Sequence, residues 1–421
     1  MKGFTTKALH GAPQKRDVHG TLRMPVYDSV AFEHASAEDV QAAFEGRLAA
    51  HSYSRISNPT VEDYEQRVRL LSDALGVIAV ASGMAAISNV MLALCEAGTN
   101  IVTTRSLFGN TYSLFESTLR PWGLDITYVD LSNRDVLRAA INESTRAVYL
   151  ETITNPQLEV VDIEAVAAVA HANKVPLVVD GTVTSPYLFH AKDFGVDVEV
   201  ISSTKYISGG ATSVGGLIVD YGTFNWRNNP KIAPWVAKYK ASALLTWLRA
   251  EVYRNLGACL SPHNAYLQTL GLETLSMRAE RSCANALAVA EYLTGRSDRV
   301  RAVNYPGLAA SKYRAIAARQ FPHGFGGILT FDLASKDECF AFMNRLQMIR
   351  RATNINDNKT LILHPASTIY CEYSPLEKED MHVRESMMRL SVGIEDGEDI
   401  IADLEQGLAG LRGPDSVEAP G

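Results

Sequence analysis

Val175-Pro176-Leu177-Val178-Val179-Asp180 closes a short apolar run on a carboxylate, and Val198-Glu199-Val200-Ile201-Ser202-Ser203-Thr204-Lys205 follows it. Each run has the length and β-branched content of a buried strand, and one helix-strand unit separates the acid from the lysine. Reading outward, the chain after Pro59 keeps this alternation. Strands are expected at Val77–Ala81, Ile101–Thr104, Ile126–Val129, Ala147–Leu150, Leu177–Asp180, Val198–Ser202 and Gly216–Val219, with helical stretches such as Ile163–Asn173 between them. Strand-helix alternation of this kind implies an α/β fold: a mainly parallel seven-stranded sheet covered on both faces. Ligands of such sheets bind outside the carboxyl ends of the strands. Asp180, Ser202 and Thr204 all fall at or just after such ends.

Length and composition bound the rest. At 421 residues the chain exceeds one compact core, so two domains are expected. We place a cofactor-binding domain at 61–262 and a smaller α+β domain at 263–421. The second is read from a long helical stretch at Asn264–Leu293, a strand at Gly327–Leu333 and helices at Lys336–Leu346 and Gly397–Leu411. Residues 1–60 lack the alternation and read as an extended arm, and Gly413–Gly421 as a frayed end. A net charge of −7 without basic clusters argues against a nucleic-acid partner. The five scattered cysteines lack a Cys-x-x-Cys pair, which favours reduced thiols in the cytoplasm over disulfides or a metal site. Met1–Pro13 has no apolar signal core. Gly76–Cys95 is long and apolar, yet Ser82, Gly83, Ser88 and Asn89 make it a strand running into a helix, not a membrane span.

Lys205 by itself reads as a solvated surface lysine. Its relation to Asp180 changes that reading. Pyridoxal phosphate needs an amine to hold its aldehyde as an imine and an acid to pair with its pyridinium nitrogen. Ala81-Ser82-Gly83-Met84-Ala85, between a strand and an apolar helix, adds N–H groups suited to a phosphate, although a Ser-Gly pair there also serves plain capping.

Tyr53-Ser54-Arg55-Ile56-Ser57-Asn58-Pro59-Thr60, Ser82-Gly83-Met84, Ser202-Ser203-Thr204-Lys205-Tyr206 and Arg389-Leu390-Ser391-Val392-Gly393-Ile394-Glu395-Asp396 together resemble the Cys/Met-metabolism family of pyridoxal-phosphate enzymes. The resemblance runs from about Val26 to Leu411 and implies the aspartate-aminotransferase-like arrangement (fold type I). It also implies roles. Lys205 would carry the cofactor and act as the catalytic base, and Asp180 would pair with the ring nitrogen. Ser82, Gly83 and Met84, with Ser202 and Thr204, would hold the phosphate. Phe108 would stack on the ring, and Asn155 would bond its phenolic oxygen. Tyr53 and Arg55 would reach a neighbouring subunit's phosphate, so the 1–60 arm would contact that subunit within a homo-oligomer, a tetramer built as a dimer of dimers. Arg389, with Asn354 and Tyr53, would bind the substrate carboxylate; the plainer reading of Arg389 is a surface ion pair.

Within the family, Phe224–Ala243, Leu248-Arg249-Ala250-Glu251, Asn255–Pro262, Gly271–Leu275 and Asn354 resemble the O-acetylhomoserine sulfhydrylases. This branch would exchange the acetyl ester of O-acetylhomoserine for sulfide, or a related sulfur donor, giving homocysteine for methionine biosynthesis. The alternatives are a methionine γ-lyase or a cystathionine γ-synthase or lyase, and, from another class, a non-catalytic binding protein that keeps the fold. Asn110, where the lyases carry cysteine, points to the same branch. Two departures from the family stand out: Asp180-Gly181-Thr182 replaces its Asp-Asn-Thr, and Phe108 replaces the usual stacking tyrosine.

Overall fold

A computed structural model describes residues 3–11 and 19–411. The expected fraying of Gly413–Gly421 lies outside the described residues, as does part of the Met1–Pro13 start. The chain forms two compact units. The described residues of Met1–Arg105, with Asn110–Thr152 and Val161–Ser276, make the first; Ser106–Gly109, Ile153–Val160 and the described part of Met277–Gly421 make the second.

The first unit is built on seven strands, β1 (Gly76–Val80), β2 (Asn100–Thr103), β3 (Asp125–Tyr128), β4 (Thr145–Glu151), β5 (Leu177–Asp180), β6 (Val198–Ile201) and β7 (Gly216–Asp220), in the order β1-β7-β6-β5-β4-β2-β3. Pairs from β3 through β6 are parallel, and β7 runs antiparallel to both β6 and β1. Leu177, Val178 and Val179 are fully buried, as strands covered on both faces require. The apolar stretch after Gly76 is β1 running into the helix Gly83–Leu94, and no helix of the described residues is long and apolar enough to cross a membrane. That helix is secured at both ends. Ser82 Oγ accepts the Ala85 N–H at 3.0 Å, and at the other end Lys231 Nζ donates to the carbonyls of Leu92 and Cys95, both at 2.6 Å. A cation on those carbonyls complements the negative end of the helix dipole.

Two expectations are corrected. The first sixty residues are not uniformly extended, since they hold helices at Phe4–His10 and Ala37–Phe44. Ala8 of the former is buried, and its carbonyl accepts from Arg67 Nη1 at 3.2 Å; short helices of this kind are held by such contacts, not by periodicity. The stretch Asn264–Leu293 is two helices, Pro262–Glu273 and Leu275–Thr294. The break falls at Thr274, whose N–H turns back to the Gly271 carbonyl.

The second unit holds a five-stranded sheet of β8 (Ala302–Asn304), β9 (Ile328–Asp332), β10 (Arg350–Arg351), β11 (Leu361–Leu363) and β12 (Met387–Ser391), ordered β10-β11-β12-β9-β8. Leu329, Phe331, Phe342, Met388, Leu390 and Leu404 form its core. Asp403, on the helix Gly397–Ala409, accepts the N–H groups of Gln347, Met348 and Ile349 at 2.9, 3.0 and 2.8 Å. Burial alone raises the pKa of Asp403, but the three N–H donors outweigh burial and hold it below the usual value.

A carboxyl lowered on folding contributes stability above its unfolded value, and that contribution fades as pH falls below about 4. Asp403→Ala is therefore expected to cost about 3 kcal/mol near neutrality by denaturant unfolding, and much less near about pH 2. Equal losses at both pH values would refute the ionic part of this account.

Candidate active site

The parallel neighbours β5 and β6 end side by side, and the two expected chemical groups emerge there. Asp180 is the last residue of β5, and Lys205 lies in the turn that follows β6. Thr182 joins the two ends, with its Oγ1 accepting the Ser202 N–H at 2.8 Å and its own N–H donating to Asp180 Oδ1 at 2.9 Å. Tyr149 on β4 donates its hydroxyl to Asp180 Oδ2 at 3.3 Å. Burial pushes the Asp180 carboxyl above its ordinary range, against the pull of these donors. A cationic partner would favour the charged form.

Ser202 also faces the start of the helix Gly83–Leu94. A side chain on Gly83 would place its Cβ 2.6 Å from Ser202 Cβ and 3.0 Å from Ser202 Oγ, so only glycine permits this approach. The first N–H groups of a helix have no acceptor within it. Ser82 takes that of Ala85, which leaves those of Gly83 and Met84 directed past the helix start. Ser82 thus caps the helix through its side-chain oxygen. Thr204 completes this corner, as its Oγ1 donates to the Gly215 carbonyl at 3.2 Å and accepts the Gly215 N–H at 3.1 Å. Tyr53 and Arg55 are exposed, with the Arg55 guanidinium 5.4 Å from the Tyr53 ring centre and donating to the Arg254 carbonyl.

The remaining candidates belong to the second unit. Arg389, the middle residue of β12, is only 2% exposed. Its Nη1 donates to Asn155 Oδ1 at 3.0 Å, and Nη2 donates to the carbonyls of Thr353 and Asn354 at 3.1 and 3.3 Å. Its Nε has no partner, and no carboxylate pairs with it among the described residues. Desolvation lowers the guanidinium pKa to about 10. The surface ion pair is thereby replaced by a buried cation lacking an anion. Asn354 contributes its carbonyl to Arg389, while its side-chain amide donates to Asp357 at 3.0 Å. Two tyrosines organise the neighbouring loop. Tyr370 Oη donates to the carbonyls of Leu107 and Asn155 at 2.8 and 3.1 Å, and Tyr373 Oη to that of Gly109 at 2.8 Å. Half-buried Phe108 is thus carried on a clamped loop.

A half-buried acid at a strand end, a lysine one strand further on, and a glycine-built helix start beside hydroxyls fit pyridoxal phosphate in its three chemical parts: ring nitrogen, aldehyde and phosphate. The family model for Cys/Met metabolism PLP-dependent enzymes matches residues 5–409. The chain belongs to that family. The O-acetyl-L-homoserine sulfhydrylase of Corynebacterium glutamicum is 37% identical, with 97% of each chain covered. The L-methionine γ-lyase of Pseudomonas putida is 34% identical, covering 97% of this chain and 98% of its own. The solved O-acetylhomoserine sulfhydrylase of Wolinella succinogenes is 50% identical, with a TM-score of 0.75 over 84% of this chain and 99% of its own.

Sequence reasoning missed Tyr149, Thr182 and Tyr370. Thr182 could have been found, since it follows Asp180 within the same motif. The tyrosines are recruited from distant positions and carry no local signal.

Thr182→Val keeps the shape of the side chain but leaves the Ser202 N–H without its acceptor. Pyridoxal phosphate affinity is expected to fall about tenfold, equivalent to about 1.4 kcal/mol. Equilibrium dialysis against the cofactor measures this, and an affinity equal to that of the unaltered protein would remove Thr182 from the site.

Proposed function

We propose that this protein is an O-acetylhomoserine sulfhydrylase of aspartate-aminotransferase-like fold, with a C-terminal α+β domain, converting O-acetylhomoserine and sulfide into homocysteine and acetate. The observation that carries the choice of reaction is Phe108, held on the loop clamped by Tyr370 and Tyr373, with an apolar ring and no hydroxyl. Thiols have pKa values near about 8.5 and gain from a proton donor on leaving, whereas carboxylic acids near about 4 depart as anions unaided. A loop without a phenol therefore suits an ester better than a thioether. The ring of Tyr112, four residues on, is buried in the first unit with its centre 5.5 Å from that of Tyr128.

Pyridoxal phosphate, when bound, supplies an aldehyde that condenses with amines and a ring that accepts the electron pair released at Cα. Lys205 is the group that would hold the cofactor and, once exchanged for the substrate amine, take the Cα proton and return it. Asp180, with Thr182 and Tyr149 as donors, would keep the ring nitrogen protonated. Gly83 and Met84 N–H groups with the Ser202 and Thr204 hydroxyls would hold the phosphate. Arg389 would receive the substrate carboxylate, and its rigid fork is matched to that shape. Asn155, already fixed by Arg389, would meet the phenolic oxygen.

Tyr53 and Arg55 would complete the site of a second subunit. Their exposure supports this, as do the solvent-facing Phe44 (69% exposed), Val40 and Leu48 of the same segment, which a partner chain would cover. Mixing inactive Arg55→Ala chains with inactive Lys205→Ala chains is expected to restore activity, because one site of each hybrid dimer receives both intact residues. Silent hybrids, with subunit exchange demonstrated by mass, would confine the site to one chain.

Steady-state assays decide the reaction. O-acetylhomoserine with sulfide should outpace methionine cleavage by at least about tenfold in kcat/KM, a barrier difference of about 1.4 kcal/mol. Phe108→Tyr should narrow the gap by raising methionine cleavage. Comparable rates on both substrates in the unaltered enzyme would assign it to the γ-lyases instead.

A further inference from the structure

Gly181 sits between the acid of β5 and the hydroxyl that joins the two strand ends, where the family carries asparagine. Its φ is not in the left-handed region, so backbone conformation does not call for glycine. Space does. A Cβ at position 181 would lie 1.9 Å from Glu199 Oε1 and 2.9 Å from its carboxyl carbon. Glu199 pairs with Val179 across β5 and β6, so its side chain rises on the face that position 181 shares, opposite to Asp180.

Glu199 is wholly buried. Its Oε2 accepts the Tyr221 hydroxyl at 2.6 Å, while Oε1 has no partner and no cation pairs with it among the described residues. The titratable groups acting on it are Tyr221, which follows β7, and Asp180 on β5; Asp193 lies behind, acting on Tyr221. A carboxylate buried under those conditions keeps its proton. Burial first, then repulsion from Asp180, pushes Glu199 up to about 8.

We propose that Glu199 is a positioning residue for the Asp180-Gly181-Thr182 turn: its carboxyl fills the volume a side chain at 181 would need, and it is the neutral member of a buried carboxyl pair whose charged member is Asp180. Glycine at 181 and glutamate at 199 are then one device. The glutamate supports the turn from the far face of the sheet, and by remaining protonated it adds no further negative charge behind Asp180. The inference rests on the assignment of Asp180 to that nitrogen.

Full-length holoenzymes carrying Gly181→Ala, Glu199→Ala and both changes, dialysed against graded pyridoxal phosphate, test the steric half. Gly181→Ala is expected to weaken cofactor affinity by at least about tenfold, and the double variant to recover to within about threefold of Glu199→Ala, the non-additivity of residues in contact. Losses that simply add would overturn the pairing. Glu199→Gln, equal in shape, tests the proton. The unfolded side chain ionises near 4.5 and the folded one near 8. The wild type should therefore lose thermal stability relative to Glu199→Gln as pH rises through that interval, and the difference should level off above it. Parallel profiles would show that Glu199 carries no proton and would overturn the neutral role. Asp180→Asn in the same dialysis separates this inference from the reading beneath it. Unchanged affinity there removes the assignment of Asp180, whereas additive losses in the Gly181–Glu199 cycle remove only the proposal made here.

Discussion

The hydrogen bond from the Ser202 N–H to Thr182 Oγ1 at 2.8 Å joins the segments that leave the carboxyl ends of β5 and β6. Parallel strands in register bring their ends to the same edge of a sheet, but they do not by themselves fix the loops beyond it. Thr182 does so in both directions, since its N–H also holds Asp180 Oδ1. The Ser202 side chain in turn packs where Gly83 has none, which sets the helix start against the same edge. The acid, the hydroxyls and the helix N–H groups are therefore placed by one short set of contacts, and Lys205 follows within three residues of chain.

Much of this was legible before the structure. All seven strands of the first sheet lie within about two residues of the runs read from β-branched content, because buried parallel strands have no polar face to blur the pattern. Asp180 ends its strand as read. The breaks were harder. Nothing in the apolar spacing around Thr274 marks the division between Pro262–Glu273 and Leu275–Thr294, since both helices carry the pattern up to it. The helix Phe4–His10 is too short for periodicity to reveal. Tyr149 and Tyr370 were invisible for another reason. A phenol that bonds a group dozens or hundreds of residues away is defined by topology, and only the strand order places it. Gly181 reads in the sequence only as a departure from a motif, and the residue that crowds it, Glu199, lies eighteen residues on.

The buried ionisable groups follow a common logic. Arg389 is surrounded by carbonyl and amide oxygens that hydrate it in place of water, yet none of them neutralises it. Replacing such a cation with an apolar residue would often leave a protein as stable or more so. Its retention is better explained by a ligand that brings the missing anion. Asp180 is the mirror case, a carboxyl pushed upward by burial and poised to gain from a cation.

Both arrangements carry an electrostatic cost that a correctly charged ligand would relieve. Selectivity follows from the same imbalance. On the roles proposed for them, a substrate without a carboxylate would leave Arg389 as costly as before, and a cofactor analogue whose ring cannot carry a proton would leave Asp180 so. The penalty for each mismatch is that of a buried group left unpaired, which exceeds the net worth of the bond itself. Neutral Glu199 belongs to this scheme. A second fixed negative charge behind Asp180 would add to that cost without offering a ligand a further contact, and a protonated carboxyl fills the space without adding that charge.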